Sequence, residues 1–336
     1  MEVVKNKVTH VVLTGGIGSR LWPLSRKSKP KQYLEIFEGK SLFELTVERN
    51  QAIAQNTIVV GNIDNCHLSK KAMDKNTIDY FEIIEATPRN TAAAIAFAAF
   101  ASLPDDILLI TPSDHIIDGE QEYKKAIDEA ILKASEGNIV TFGIVPNKPE
   151  TGYGYIEQKG DAVLSFREKP NYETAVDFIN KGVFLWNSGM FCFKASVYLE
   201  ELKKYQPEVY EKSKVVWENN NDGKLDYELS MEIPSISVDY AVMERSKKIK
   251  VVSAKFKWSD LGSFESVYDY LLSKGYPSDK NGNITIGDSK HTTFVGLRDI
   301  IFVCTEDANL ILKKKHSQEV KEVYDSLNRQ KSPLLD

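Results

Sequence analysis

Through the first 145 residues, five short apolar runs alternate with helix-like stretches. The runs are residues 8–13, 57–60, 81–84, 107–110 and 139–145. Between them, residues 41–54 read as a helix opened by a Ser41/Glu44 capping box. Residues 91–101 read as an alanine-rich helix behind an N-cap at Asn90, and residues 120–135 as an amphipathic helix. Uninterrupted apolar strands bury both faces, and helices of this length make right-handed crossovers between parallel neighbours. The expected fold class is α/β: a Rossmann-like mixed, mainly parallel sheet flanked by helices.

After residue 150 the pattern changes. Residues 153–158 and 162–167 flank a Lys-Gly-Asp turn and read as a hairpin. Helices are expected at 172–180, at 196–217 with a break at Pro207, at 224–231, at 237–244 and at 262–272. Strands are expected at 190–193 and 249–252. Gly275, Pro277, Asn281 and Gly282 then mark a junction. Beyond it come short strands at 283–286, 300–304 and 310–313 and a helix at 317–327. The expected domains are a large one over 1–275 and a small β-rich module with a terminal helix over 276–336, a division that 336 residues accommodate.

Apolar residues make up 42% of the chain, which supplies a core and excludes wholesale disorder. Forty-three Lys and Arg against 48 Asp and Glu give a net charge of −5, a poor basis for wrapping nucleic acid. Cys66, Cys192 and Cys304 share no metal-ligand or redox spacing, so reduced thiols and a cytoplasmic location are expected. No apolar stretch reaches membrane-spanning length, and the N-terminal run is too short for a signal sequence, so no membrane partner is expected.

The first run stops at LTGGIGSRLWP. Glycines there let backbone N–H groups approach a phosphate. The dinucleotide fingerprint fails, because Leu21 stands where its third glycine belongs. The Walker loop fails too, because Leu34 stands where its first glycine would precede Gly39-Lys40-Ser41. From Gly15 to Leu34 there are five cations, Arg20, Arg26, Lys27, Lys29 and Lys31, and no acid. The choice is between a solvated basic loop and a triphosphate cradle in which Arg20 and Lys31 neutralise oxygen charge. Asp114, at the end of the fourth run, stands where α/β sheets bind ligands, and Asp260 lies in a Ser-Asp-Leu-Gly-Ser turn. Two hard oxygen donors suit Mg²⁺; a helix cap and a plain turn are the competing readings. His115 has no second histidine at helical spacing, so a transition-metal role is not expected.

Eight ordered blocks between residues 8 and 270 carry a more specific signal. They are LTGGIGSRLWPLSR with PKQYL, PRNTAAAIA, TPSDHII, TFGIVPNKPETGYGYIE, FREKP, FLWNSGMF, SVDYAVMER and WSDLGS. Together they resemble the mannose-1-phosphate guanylyltransferases of the bacterial sugar-phosphate nucleotidylyltransferase superfamily. The resemblance implies the nucleotide-diphospho-sugar transferase type of fold and a reaction between GTP and α-D-mannose 1-phosphate that gives GDP-mannose and pyrophosphate. It implies Mg²⁺ on Asp114 and Asp260, and catalytic roles for Arg20, Lys31 and Lys169. It places Thr14, Gly15, Gly16, Gly18, Ser19, Asn90, Thr91 and Ser113 at the nucleotide, and Gly154, Glu168 and Asn187 at the sugar. The expected partners are GTP and the sugar 1-phosphate, with a homodimer as the assembly. Thr14, Ser19 and Lys257 depart from the family's usual residues. A guanylyltransferase for a heptose- or fucose-type phosphate is the alternative. A nicotinamide-dependent oxidoreductase and a non-catalytic nucleotide-sugar sensor are remoter ones.

Overall fold

The computed structural model describes residues 7–35, 39–287 and 290–336. The strands are β1 (Val8–Leu13), β2 (Asn56–Asn62), β3 (Phe81–Glu85), β4 (Ile107–Pro112), β5 (Ile116–Asp118), β6 (Ile139–Ile144), β7 (Tyr155–Lys159), β8 (Ala162–Arg167), β9 (Phe184–Lys194), β10 (Ile249–Ser253), β11 (Lys257–Ser259), β12 (Ile284–Gly287), β13 (Ile300–Cys304) and β14 (Asn309–Lys313). The α-helices are α1 (Leu42–Gln51), α2 (Cys66–Lys75), α3 (Asn90–Phe100), α4 (Glu120–Ser135), α5 (Tyr172–Lys181), α6 (Ala195–Tyr205), α7 (Pro207–Glu218), α8 (Tyr227–Met231), α9 (Phe264–Ser273) and α10 (Val320–Arg329). No helix of the described residues is long and apolar enough to cross a membrane.

Two compact units result, and each has its own core. The first contains residues 7–15, Thr46–Ser113 and Ile117–Trp258. Its nine-stranded sheet runs in the order β3-β2-β1-β4-β9-β6-β10-β8-β7. Parallel pairing joins β2 to β3, β1 to β2 and β4, and β6 to β10. The sheet is mixed: β9 runs antiparallel to β4, β6 and β7, and β8 runs antiparallel to β7 and β10, reversals that the apolar runs do not announce. The reason lies in burial. A strand covered on both faces reads as the same apolar run whichever way it points, so pattern alone leaves direction open. One face carries Val11, Phe97, Ile110, Phe193 and Tyr198, with the small residues of α3 letting the helix lie close. The other face carries Leu109, Tyr123, Ile127, Phe142, Tyr155 and Trp186.

The second unit contains residues 16–35, 39–45, Asp114–Ile116, 259–287 and 290–336. In it β12 and β13 pair in parallel and β13 and β14 antiparallel. Leu21, Trp22, Phe264, Ile284, Ile301, Val303 and Tyr324 make its core. The C-terminal residues are tied in: the Trp22 indole donates to the Leu334 carbonyl at 2.9 Å. Arg26 pairs with Asp307 at 2.6 Å and donates to the carbonyls of Pro23 and Leu334.

Several local expectations shift. The capping box forms, with Ser41 N donating to Glu44 and Glu44 N to the Ser41 hydroxyl. The break at Pro207 splits 195–218 into α6 and α7. Asn90 is not the N-cap of α3 but its first residue, at φ +69°. Residues 239–243 wind as one π-turn instead of an α-helix. The helix α2 was not expected, because it buries only Ser69 and Met73 and has few apolar residues to mark it.

Candidate functional site

In the second unit, the glycine loop is shaped by what it passes. Gly16 and Gly18 stand at φ +89° and +77°, where a side chain is strained. A Cβ on Gly18 would lie 2.5 Å from Cβ of Lys31, so only glycine lets that lysine's stem pass. Gly16 is exposed and Ser19 half-exposed; Gly15, which ends the first unit's opening segment, is exposed as well. Lys31 opens a short 3-10 turn, and its N–H donates to the Ile17 carbonyl at 3.0 Å. The lysine is buried, yet its Nζ reaches Oδ2 of Asp114 at 2.7 Å and donates to the Asp260 carbonyl.

Burial alone would raise the Asp114 carboxyl, but the Lys31 ammonium and His115 outweigh it and hold the group below its ordinary value. Asp260 folds back on its own turn, accepting from the Gly262 N–H at 3.0 Å. A Cβ on Gly262 would collide with the Asp260 carboxylate and stand 3.3 Å from Nη2 of Arg20. Arg20, Lys31, Asp114 and Asp260 therefore gather at one place, although 240 positions separate the first from the last. Arg20 is aimed by Gln318, whose Oε1 accepts from Nη1 at 3.0 Å.

Not all five loop cations join this group. Arg26 is spent on Asp307 and the C-terminal carbonyls, Lys27 stands 4.0 Å from Asp336, and Lys29 is exposed. Among the described residues no cluster of three His, Cys, Asp or Glu side chains forms a ready-made metal cage. The donor set that is present, the Asp114 carboxylate and the Asp260 carbonyl already meeting the Lys31 cation with the Asp260 carboxylate on the same turn, fits an ion that takes one or two carboxylates and completes its shell with substrate oxygens.

In the first unit, the carboxyl edge of β1–β4 carries the other residues expected at the nucleotide. Thr14 is buried, and its hydroxyl donates to the Val60 carbonyl at 3.1 Å. Asn90 is exposed at the start of α3, and its side-chain oxygen accepts from the Thr91 N–H. The Thr91 hydroxyl accepts from the Val238 N–H at 2.8 Å. Ser113 is buried with its Oγ unpartnered. Glu85, which the sequence pattern presents only as a strand end, is buried with Oε1 unpartnered, and burial pushes its carboxyl up to about 7.

The residues expected at the sugar meet around Gly154. A Cβ there would lie 2.5 Å from Oε2 of Glu168 and 3.3 Å from Cβ of Asn187. The Gly154 carbonyl accepts from the Asn187 N–H at 2.8 Å. Lys169 stands at φ +45°, a strained value for lysine, and its ammonium is 3.0 Å from Oε1 of Glu168. Asn187 takes the Thr141 hydroxyl and the Gly189 N–H on its oxygen, at 3.0 and 3.1 Å. Its amide nitrogen donates to Oδ1 of Asp239 at 3.1 Å. Burial and the Glu168 charge push the Asp239 carboxyl up to about 7. Asp239 lies inside the SVDYAVMER block without standing out there; an acid in an otherwise apolar turn was the available signal. Phe184, Trp186, Met190, Phe191 and Phe193 are buried in the core, as aromatic runs usually are.

Comparison with known proteins adds to this geometry. The family model described as nucleotidyl transferase matches residues 9–274. A second, described as a MannoseP isomerase/GMP-like beta-helix domain, matches residues 278–327. The chain is 38% identical over 348 residues to a mannose-1-phosphate guanylyltransferase of Salmonella muenchen, covering 96% of this chain and 74% of that protein. It is 38% identical over 341 residues to the xanthan biosynthesis protein XanB of Xanthomonas campestris pv. campestris, covering 95% and 73%. Among solved structures, one from Thermus thermophilus, described as a mannose-1-phosphate geranyltransferase, superposes with a TM-score of 0.83 at 29% identity, covering 96% of this chain and 99% of that one.

Proposed function

The chain belongs to the nucleotidyl transferase family, within its mannose-1-phosphate guanylyltransferase group, and we infer that it transfers GMP from GTP to α-D-mannose 1-phosphate, releasing pyrophosphate. The observation that carries the reading is the gathering of Arg20, Lys31, Asp114 and Asp260 in a chain that matches such transferases over almost its whole length. The relatives' names choose the substrate.

The acceptor's phosphate is already ionised at neutral pH, so its oxygen attacks the α-phosphorus in line without a general base. What remains for the protein is to bring two anions together and neutralise charge. Backbone N–H groups of Gly15, Gly16, Gly18 and Ser19 cradle the triphosphate, and Arg20 and Lys31 stabilise the departing pyrophosphate. Thr14 contributes through its backbone carbonyl, since its N–H and its hydroxyl both donate to the Val60 carbonyl. Asn90, Thr91 and Ser113 line the base and ribose, Ser113 with a hydroxyl free to bond. Lys169 holds the acceptor phosphate, while Gly154, Glu168 and Asn187 hold the sugar. Asp114 and Asp260 would hold Mg²⁺, which supplies charge neutralisation at the α-phosphate when bound.

The functional division falls near residue 275, a placement supported by where the two family models meet. Three free thiols support a reducing, cytoplasmic setting. Pyrophosphate release from GTP and mannose 1-phosphate with Mg²⁺ tests the reading, and its absence would overturn it.

A further inference from the structure

The acceptor pocket holds one more polar group than the sequence assigned to it. Asn187 can be oriented without ambiguity, because the Gly189 N–H has only a donor to offer. The amide oxygen must therefore face Gly189 and Thr141, and the amide nitrogen must face Asp239. It follows that Oδ1 of Asp239 is an acceptor, and that any proton on this carboxyl sits on Oδ2. Asp239 is partly exposed, and it shares its surroundings with Glu168, the residue that closes on Gly154.

We propose that Asp239 is a specificity-determining residue of the acceptor pocket: in its neutral form it donates from Oδ2 to a hydroxyl of the bound hexose phosphate, opposite the accepting carboxylate of Glu168. A donor and an acceptor held apart in this way discriminate among sugars by where their hydroxyls lie. Burial, Glu168 and Glu244 favour the neutral carboxyl, and Asp239's own backbone N–H and Lys169 only partly offset them. Tyr198 of α6 is held neutral by its own burial and by the Asp239 charge. With the carboxyl pushed up to about 7, the neutral donor dominates below that pH. Above it, two carboxylates confront a dianionic acceptor.

The proposal rests on the guanylyltransferase reading, and the test separates the two. KM for mannose 1-phosphate and for GTP is measured between about pH 5.5 and about 8.5 in wild type, Asp239→Asn and Asp239→Ala. In the wild type, the acceptor KM is expected to rise about tenfold from about pH 6 to about pH 8 while the GTP KM stays flat. Asp239→Asn, which keeps a donor in place of the protonated oxygen, is expected to hold the low acceptor KM across the range. Asp239→Ala is expected to raise it about tenfold or more at every pH. The acceptor's own phosphate ionises near pH ~6, a break common to all three proteins. A wild-type rise that persists in Asp239→Asn, or no rise in the wild type, overturns the proposal alone. Should Asp239→Ala not fold, those two proteins still decide it. A wild type that turns over no mannose 1-phosphate overturns the reading and the proposal together.

Discussion

Lys31 is the residue on which the phosphate-side geometry turns. Its stem fixes glycine at position 18, and its ammonium meets Asp114 and the carbonyl of Asp260. Gly18→Ala should therefore act through Lys31: we expect it to fold, with turnover reduced on the order of 10²-fold, read by pyrophosphate release at saturating GTP. Arg20→Ala and Asp114→Ala should lose at least as much without unfolding the protein, since Arg20 offers positive charge to the phosphates and Asp114 would hold the metal ion that does the same. Near-normal turnover in either variant counts against the assignment. Glu85 makes a different prediction. Its folded-state carboxyl lies at about 7 against an ordinary 4.5, so the folded chain binds a proton that the unfolded chain has released. Stability is then lost as pH rises from about 4.5 to about 7 and stays lost above. Glu85→Gln has no such proton, so its melting temperature should exceed the wild type's by a margin that grows across that window. An equal margin at pH ~4 and pH ~8 would contradict the buried, unpaired geometry.

Elements show how far the pattern of residues reaches. The amphipathic α4 runs over Glu120–Ser135 as the spacing predicts, because its buried positions Tyr123, Ile127, Ala130 and Ala134 repeat at the helical period. Strand β9 was legible only at its apolar end. Asn187, Ser188 and Gly189 break the run, and they do so because Asn187 is turned into hydrogen bonds with Thr141, Gly189 and Asp239. Its direction in the sheet was not legible at all. The loop cations illustrate the same limit. Five like charges without an acid suggest one cradle, but the acid that claims Arg26 lies 281 residues away. Arg26 is an anchor for the chain's last residues. Arg26→Ala should lower the melting temperature, by the equivalent of about 1–3 kcal/mol, and leave the KM for GTP unchanged. A raised KM for GTP with unchanged melting would return Arg26 to the phosphates.

At the scale of the whole molecule, each unit brings its own chemistry. One offers cations and two aspartates; the other offers a carboxyl edge with Ser113 and Glu85, and a polar group of Glu168, Lys169, Asn187 and Asp239. The ordered blocks pointed to nearly all of these residues, because several lie beside glycines with no room for a side chain: a Cβ would meet Lys31 at Gly18, Glu168 at Gly154 and Asp260 at Gly262. Glu85 and Asp239 escaped because burial, which gives them their character, is a property of the folded chain. The most direct test of the central claim is a matrix of pyrophosphate release from the four ribonucleoside triphosphates against several sugar 1-phosphates in Mg²⁺. GTP with mannose 1-phosphate should give the highest kcat/KM. A higher value for another triphosphate or another sugar phosphate, or no release from that pair, would contradict it.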